Sequence, residues 1–596
     1  MLSVSFIRKL AEQQNNPNDP VNPVKKQIMK QQYDYSESLL VHFRRIESLK
    51  EAALGYPSVN LNKRQLCDLE LLLNRAFYPL TGYLGREDYE SVLDKMRLSD
   101  GTVWPIPVCL DVNDDMAQSF EKGRPIALAD EEGFMLAVLT VKDIWKPDKK
   151  REARAVFGTD DPEQHPGVRN LYEKVSPWYV GGTLEGIHLP IHYDFKELRL
   201  TPAETHRQFA QNGWRNVIGF QTEKHLHCAH KEMTLRAARE AGASIFLQPV
   251  VGLTHPGDLD HYTQVRCYQE ILKKYPKNMI MLGLIPLSMR KAGPREALWH
   301  AIIRKNYGCS HFMVADDYGD PFANNSSKER FYPRHTAQEM VRSFEEETGV
   351  KMVPLKKMVY VEDRAQYLPE DEVTQAMNVK RISSGELRRR LENGLDIPDW
   401  FSYPEVVAEL RRAYPPRSKQ GFTIFITGLS GAGKSTLAKV LMVKFMEMRD
   451  RPVTLLDGDI VRKNLSSELT FSKEHRNLNI TRIGFVASEI TKNRGIAICA
   501  PIAPYEESRR HNRELISRYG GYIEVYLSTP LKVCEQRDRK GLYAKGRTGK
   551  IPGVTGIDDP YIPPSNPEIS MDTTELTPDE AVQEVLLYLE EQGYIR

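Results

Sequence analysis

Residues 422–448 read FTIFITGLSGAGKSTLAKVLMVKFMEM. Phe422–Thr427 is a continuous apolar and β-branched run, the pattern of a strand buried on both faces of a parallel sheet. It passes directly into Gly428-Leu-Ser-Gly-Ala-Gly433-Lys434-Ser435-Thr436, which satisfies G-x-x-x-x-G-K-[ST], and the residues after it have helical spacing. Strand, glycine loop and helix together make a phosphate cradle. The glycines allow backbone N–H groups of Gly428, Ser430, Gly431, Ala432 and Gly433 to turn inward, and the helix N-terminus adds partial positive charge. Lys434 is expected to reach the β- and γ-phosphates of ATP, Ser435 to ligate Mg²⁺, and Thr436 to complete the first turn.

A second apolar strand, Val453–Leu456, ends in Asp457-Gly-Asp459. Two carboxylates at the carboxyl edge of such a sheet stand where ligands bind, and suit an acceptor hydroxyl or the water around a metal. Arginines at 462, 476, 482, 509 and 510 are available to neutralise transferring phosphate. Four further stretches, LLDGDIVRKNL, FSKEHRNLNITRIG, PIAPYEESRR and KGLYAKGRTGKIPGVTGIDDPY, resemble the successive signatures of adenylylsulfate (APS) kinase, a resemblance that covers essentially all of 420–596. The resemblance implies phosphoryl transfer from ATP to the 3′-hydroxyl of APS, giving PAPS. It places Asp459 beside that hydroxyl, Arg462, Arg476 and Asn479 on the sulfate–phosphate side of APS, and Phe471 on its adenine. Lys545 and Asp558 fall in the family's lid. Ala503 stands where some members have Ser. Val554 stands where the family usually has a second stacking Phe, a loss worth about 1 kcal/mol.

Working back toward the N-terminus, YPPRSKQG (414–421) combines Pro, Gly and charge and reads as a linker, assigned to 415–421. Residues 196–350 alternate apolar strands (Val217–Gln221, Ile245–Leu247, Ile280–Ile285, His311–Val314) with helical patterns, one beginning near His230, which predicts a parallel sheet with crossover helices. A smaller mixed segment covers 351–414. From 36 to 195, β-prone runs such as Thr102–Leu110 and Phe134–Val141 predominate. Residues 1–35, rich in Asn, Gln, Pro and Lys, read as a flexible arm.

Residues 36–410 resemble ATP sulfurylase, on FYPLTGYL (77–84), DGTVWPIPVCLDV (100–112), GPREALWHAIIRKNYGCSHFMV (293–314) and ISSGELRRRLENGLDIPDWFSYPEVV (382–407). The fold implied is α/β and multidomain: a PUA-like β domain, an HxxH nucleotidyltransferase domain, a small α/β subdomain and, after the linker, the P-loop kinase at 422–596. Joining sulfate and ATP requires two anions to be held together while pyrophosphate leaves, so positioning and positive charge carry the chemistry. The family uses Q-T-R-N-P-x-H-x-x-H and G-R-D-H-A. Here these read Gln221-Thr-Glu-Lys-His-Leu-His-Cys-Ala-His230 and Ala315-Asp-Asp-Tyr-Gly319. His227 and His230 keep their i, i+3 spacing, and Gln221, Thr222, Met358 and Val359 also match the nucleotide half. The two sulfate-side arginines are Glu223 and Asp316, and Lys224 replaces Asn. A like charge at 4 Å costs about 4 kcal/mol at an effective dielectric of 20, so sulfate binding should be severely impaired. Three readings follow: a domain retained for scaffolding or regulation, one that adenylylates a neutral or cationic acceptor, or one in which Lys224, His225, Lys328 or Arg330 restores the charge.

The chain has 596 residues, enough for several domains, with 82 Lys and Arg against 80 Asp and Glu, a formal charge of +2. That balance gives no support to nucleic-acid binding. Seven scattered cysteines without a CxxC pair argue against a zinc ribbon. No apolar stretch approaches the roughly 20 residues of a membrane span. A cytoplasmic enzyme acting on small molecules is expected, and the resemblance adds a homo-oligomer.

Overall fold

The computed structural model describes residues 38–222, 224–252, 261–323, 329–470, 472–538 and 541–595, the side chain of Asp459 excepted. The expected arm at 1–35 and three of the residues named above, Glu223, Lys328 and Phe471, lie outside the described residues. By internal contacts the chain forms two compact units, one reaching to residue 379 apart from 255–267, the other combining 255–267 with 380–596.

Among the described residues the first unit contains two large sheets and a small one built on Met358–Val361, Gln366–Pro369 and Val379–Lys380, the last at its boundary. In the PUA-like part the strands run in the order Ser58–Asn60, Pro125–Ala129, Met135–Trp145, Trp178–Gly186 and Gly82–Tyr83, and Leu110–Val112 also pairs with Trp178–Gly186. All but the outermost pairing, Ser58–Asn60 with Pro125–Ala129, are antiparallel. The run Thr102–Leu110 is not a strand as expected; only Leu110–Val112 is. Pro105 and Pro107 have no N–H to donate to a ladder, so the apolar residues around them, Trp104, Ile106 and Val108, are buried outside any strand.

The second sheet is parallel throughout, in the spatial order Lys351–Pro354, His311–Val314, Val217–Phe220, Ser244–Leu247, Ile280–Leu282. The chain lays down three strands in one direction, then returns to the other side of Val217–Phe220. The order therefore reverses between Val217–Phe220 and His311–Val314, and ligands of open α/β sheets bind outside the carboxyl ends at such a point. The sheet continues across residue 350 through its fifth strand. The helix expected from His230 begins at Cys228, because the N–H of His227 is capped by Nδ1 of His230 at 3.1 Å.

In the second unit a parallel sheet runs in the order Val453–Asp457, Ile496–Ala500, Phe422–Gly428, Gly521–Leu527, Ile569–Met571. Phe422–Gly428 is central and buried at every position, as its unbroken apolar run requires. The helix Lys434–Met448 packs Leu437, Ala438, Leu441 and Phe445 onto one face of the sheet, beside Ala581, Val585 and Leu589 from the last helix. The helix Lys473–Lys492 covers the opposite face through Ile480, Ile483 and Ala487.

Candidate active sites

The phosphate cradle follows the central strand without an intervening residue. Gly428, Gly431 and Gly433 all have positive φ, at 148°, 80° and 96°. A Cβ on Gly431 would lie 2.7 Å from the carbonyl oxygen of Cys534, so a side chain is excluded on packing as well as on φ. Lys434 begins the helix, and its Nζ donates to the carbonyls of Gly428 (2.9 Å) and Leu429 (2.7 Å), which holds the ammonium over the loop. Ser435 and Thr436 are exposed in the first helical turn. The loop is braced from outside: Tyr543 donates to the Ser430 carbonyl at 2.8 Å and Thr573 to that of Ala432 at 3.0 Å.

Asp457 ends its strand, largely buried, and Asp459 lies in the next helix, Gly458–Asn464. Arg462 on that helix donates to the Leu469 carbonyl at 3.3 Å, and Asn479 on Lys473–Lys492 is buried. Arg476 donates to Thr555 Oγ1 (2.5 Å), Asp559 Oδ2 (2.7 Å) and the Gly553 carbonyl. Asp558 accepts from the backbone N–H groups of Gly553 and Val554, which hold its carboxyl below the usual range and close the loop on itself. Val554 is 2% exposed and belongs to the kinase core. Lys545 is exposed in the helix Leu542–Arg547.

The arginines expected to cluster do not all converge. Arg509 is buried against the carbonyls of Ala503 and Ile562 and the carboxylates of Glu506 and Glu524, an internal brace. Arg482 pairs with Glu468 and Arg510 faces Glu514.

In the nucleotidyltransferase domain, Gln221 and Thr222 leave Val217–Phe220 and the loop Ala315–Gly319 leaves His311–Val314, so both variant motifs meet the strand-order reversal. Gln221 Oε1 accepts from Tyr318 OH at 3.0 Å and from Nη2 of Arg304, which is fully buried. Tyr318 also meets His300 Nδ1 at 2.7 Å. His230 lends Nδ1 to its own helix cap, so a neutral ring carries its proton on Nε2, and burial with Lys224 and His225 nearby lowers its pKa to about 4. Burial pushes His227 well below its ordinary value and His225 to about 4. These rings are neutral at pH 7 and can hydrogen-bond phosphate oxygens, but they supply no net positive charge. Met358 and Val359 begin a hairpin strand, Met358–Val361, that packs on the helix bearing His230.

The acids of the altered loop are paired. Asp317 accepts from Arg330 (Nη2 2.8 Å, Nε 3.2 Å), and Asp316 lies 3.8 Å from Arg334. Arg330 is thus engaged by Asp317, and Lys224 is exposed with its backbone N–H on Thr222 Oγ1. Arg334, Arg304 and Asp559 were not legible as site residues. For Arg334 a signal existed: R-F-Y-P-R follows A-D-D-Y-G-D closely enough to pair with it.

The comparisons agree along the chain. A PUA-like domain model matches residues 35–189, the ATP-sulfurylase model 196–413 and the adenylylsulphate kinase model 420–572. The sulfate adenylyltransferase of Mycosarcoma maydis is 47% identical over 553 residues, 92% of this chain and 96% of that one. That of Neurospora crassa is 45% identical over 550 residues, with the same coverage. A solved structure described as a hexameric APS kinase from Thiobacillus denitrificans is 40% identical, covers 94% of this chain and 98% of its own, and superposes with a TM-score of 0.77. The two nucleotide sites, their order along the chain and these relatives lead to one conclusion: the chain belongs to the sulfate adenylyltransferase family and is an enzyme of sulfate activation, with a nucleotidyltransferase domain followed by an APS kinase domain.

Proposed function

We propose that the C-terminal domain phosphorylates the 3′-hydroxyl of APS, using ATP as donor. The observation that carries this reading is the intact cradle Gly428–Thr436 at the end of a central parallel strand, with Asp457 ending another strand of the same sheet. The backbone N–H groups and Lys434 hold the donor phosphates, Arg462 and Arg476 hold the acceptor anion, and Asp459, by its place after Asp457, receives the hydroxyl proton. The site suits Mg²⁺ bound chiefly through nucleotide oxygens, with Ser435 exposed at the helix start as the protein ligand; the ion would neutralise charge on the β- and γ-phosphates. A cytoplasmic location and a homo-oligomer belong to the same proposal, the latter supported by a relative described as hexameric.

The N-terminal domain, in this proposal, binds a nucleotide through Gln221, Thr222, His227, His230, Met358 and Val359 but transfers it poorly to sulfate. Its histidines are neutral, and acids stand where the family has arginines. Of the other readings, a neutral acceptor fits better than a cationic one, because Asp316 and Asp317 already face arginines.

Two assays on the full chain test this. With ATP, Mg²⁺ and APS, PAPS should form, and Lys434→Ala should abolish it; no PAPS at saturating substrate refutes the kinase reading. Sulfate-dependent pyrophosphate release should fall on the order of 100-fold or more below that of a sulfurylase with both arginines, since each lost hydrogen bond to a charged group is worth about 1.5–3 kcal/mol. A normal rate refutes the charge argument.

A further inference from the structure

Arg476 sits on the long helix Lys473–Lys492, and a guanidinium on a flexible stem recognises an anion well only when its orientation is set in advance. Among the described residues, acceptors in one short segment help set it here: the Gly553 carbonyl, Thr555 Oγ1 and Asp559 Oδ2. Asp559 is the charged one. Its second oxygen, Oδ1, accepts from Tyr505 OH at 2.7 Å, so the carboxylate is itself fixed from the segment after Ile496–Ala500. The Arg476–Asp559 pair is largely buried, with side chains 11% and 18% exposed. The loop presenting these acceptors is closed by Asp558 on the Gly553 and Val554 N–H groups and by the Gly556 N–H on the Asp559 carbonyl at 2.8 Å.

We propose that Asp559, anchored by Tyr505, is a positioning residue for acceptor recognition: it orients Arg476 toward the sulfate–phosphate group of APS, so that acceptor capture and seating of the 553–559 loop are one event. Asp559 does not touch the reacting atoms. It acts through Arg476, and the proposal rests on the assignment of Arg476 to the acceptor side made above. An ordered segment thereby becomes part of acceptor specificity, while the phosphate cradle stays independent of it.

The test is calorimetric binding of APS to the full-length protein without ATP, together with KM and kcat for PAPS formation. Asp559→Asn keeps the side-chain shape and removes the charge. It is expected to weaken APS binding and raise KM for APS about tenfold, leaving KM for ATP and kcat within twofold; Tyr505→Phe should do the same more weakly. In an Arg476→Ala background, Asp559→Asn should have no further effect on APS. The proposal is overturned by an unchanged or tighter APS affinity in Asp559→Asn, by parallel losses for APS and ATP, or by additive losses in the double variant. Unaltered APS binding in Arg476→Ala alone refutes the underlying assignment instead. Absence of PAPS from the wild-type protein refutes the kinase reading and leaves the binding comparison readable.

Discussion

At the scale of single residues, the cradle shows how far a motif reaches. Gly431 and Gly433 both sit at positive φ, but only Gly431 also abuts backbone, 2.7 Å from the Cys534 carbonyl; a Cβ on Gly433 would meet nothing closer than Thr573 Oγ1 at 3.7 Å. Gly431→Ala should therefore be the worse of the two, with strain of about 1–3 kcal/mol and KM for ATP in PAPS formation raised tenfold or more. A milder effect from Gly431→Ala than from Gly433→Ala would contradict this. Lys434 and the glycines were legible because backbone geometry and phosphate chemistry dictate their spacing. Asp559 was not, because its role comes from a contact with Arg476, 83 positions away, that no local pattern encodes. The same holds for Arg304, whose helix reads as buried on most of its faces and gives no hint that one guanidinium nitrogen serves Gln221.

Among the elements, the strands of both parallel sheets follow the apolar runs closely, whereas the stretch through Pro105 and Pro107 does not, since burial and ladder pairing are separate demands and proline meets only the first. Helix ends were harder to place than strands, because capping decides them. The final helix, Pro578–Glu591, carries a reciprocal box in which Thr577 Oγ1 accepts from the Glu580 N–H at 3.3 Å and Glu580 Oε2 accepts from the Thr577 N–H at 2.8 Å. Its Ala581, Val582, Val585 and Leu589 complete the kinase core. Thr577→Ala should cost about 1 kcal/mol, lowering the urea midpoint of kinase inactivation by several tenths molar while leaving KM for APS unchanged.

For the molecule as a whole, buried histidines concentrate in the first unit. Burial brings His165, His225 and His230 to about 4, and sets His227 and His300 well below their ordinary range. Unfolded, such rings titrate near 6.5. Below about 6.5 the unfolded chain binds more protons than the folded one, so stability falls as pH drops from there. Glu152 in the first unit and Glu524 in the second, both raised by burial, oppose this. Five of the six tryptophans lie in the first unit and Trp400 in the second, so fluorescence-detected melting reports chiefly the first unit. Its midpoint should fall clearly between pH 7 and pH 5, by on the order of several kcal/mol of lost stability; a flat profile would show that the rings titrate normally. The pairing of Asp316 with Arg334 and of Asp317 with Arg330 has a consequence for engineering. An arginine placed at 316 alone would meet Arg334, and one placed at 223 as well would leave that repulsion in place. Under the proposed reading, sulfate-dependent pyrophosphate release should therefore rise only when 223, 316 and 334 are changed together, and not with any one of them alone.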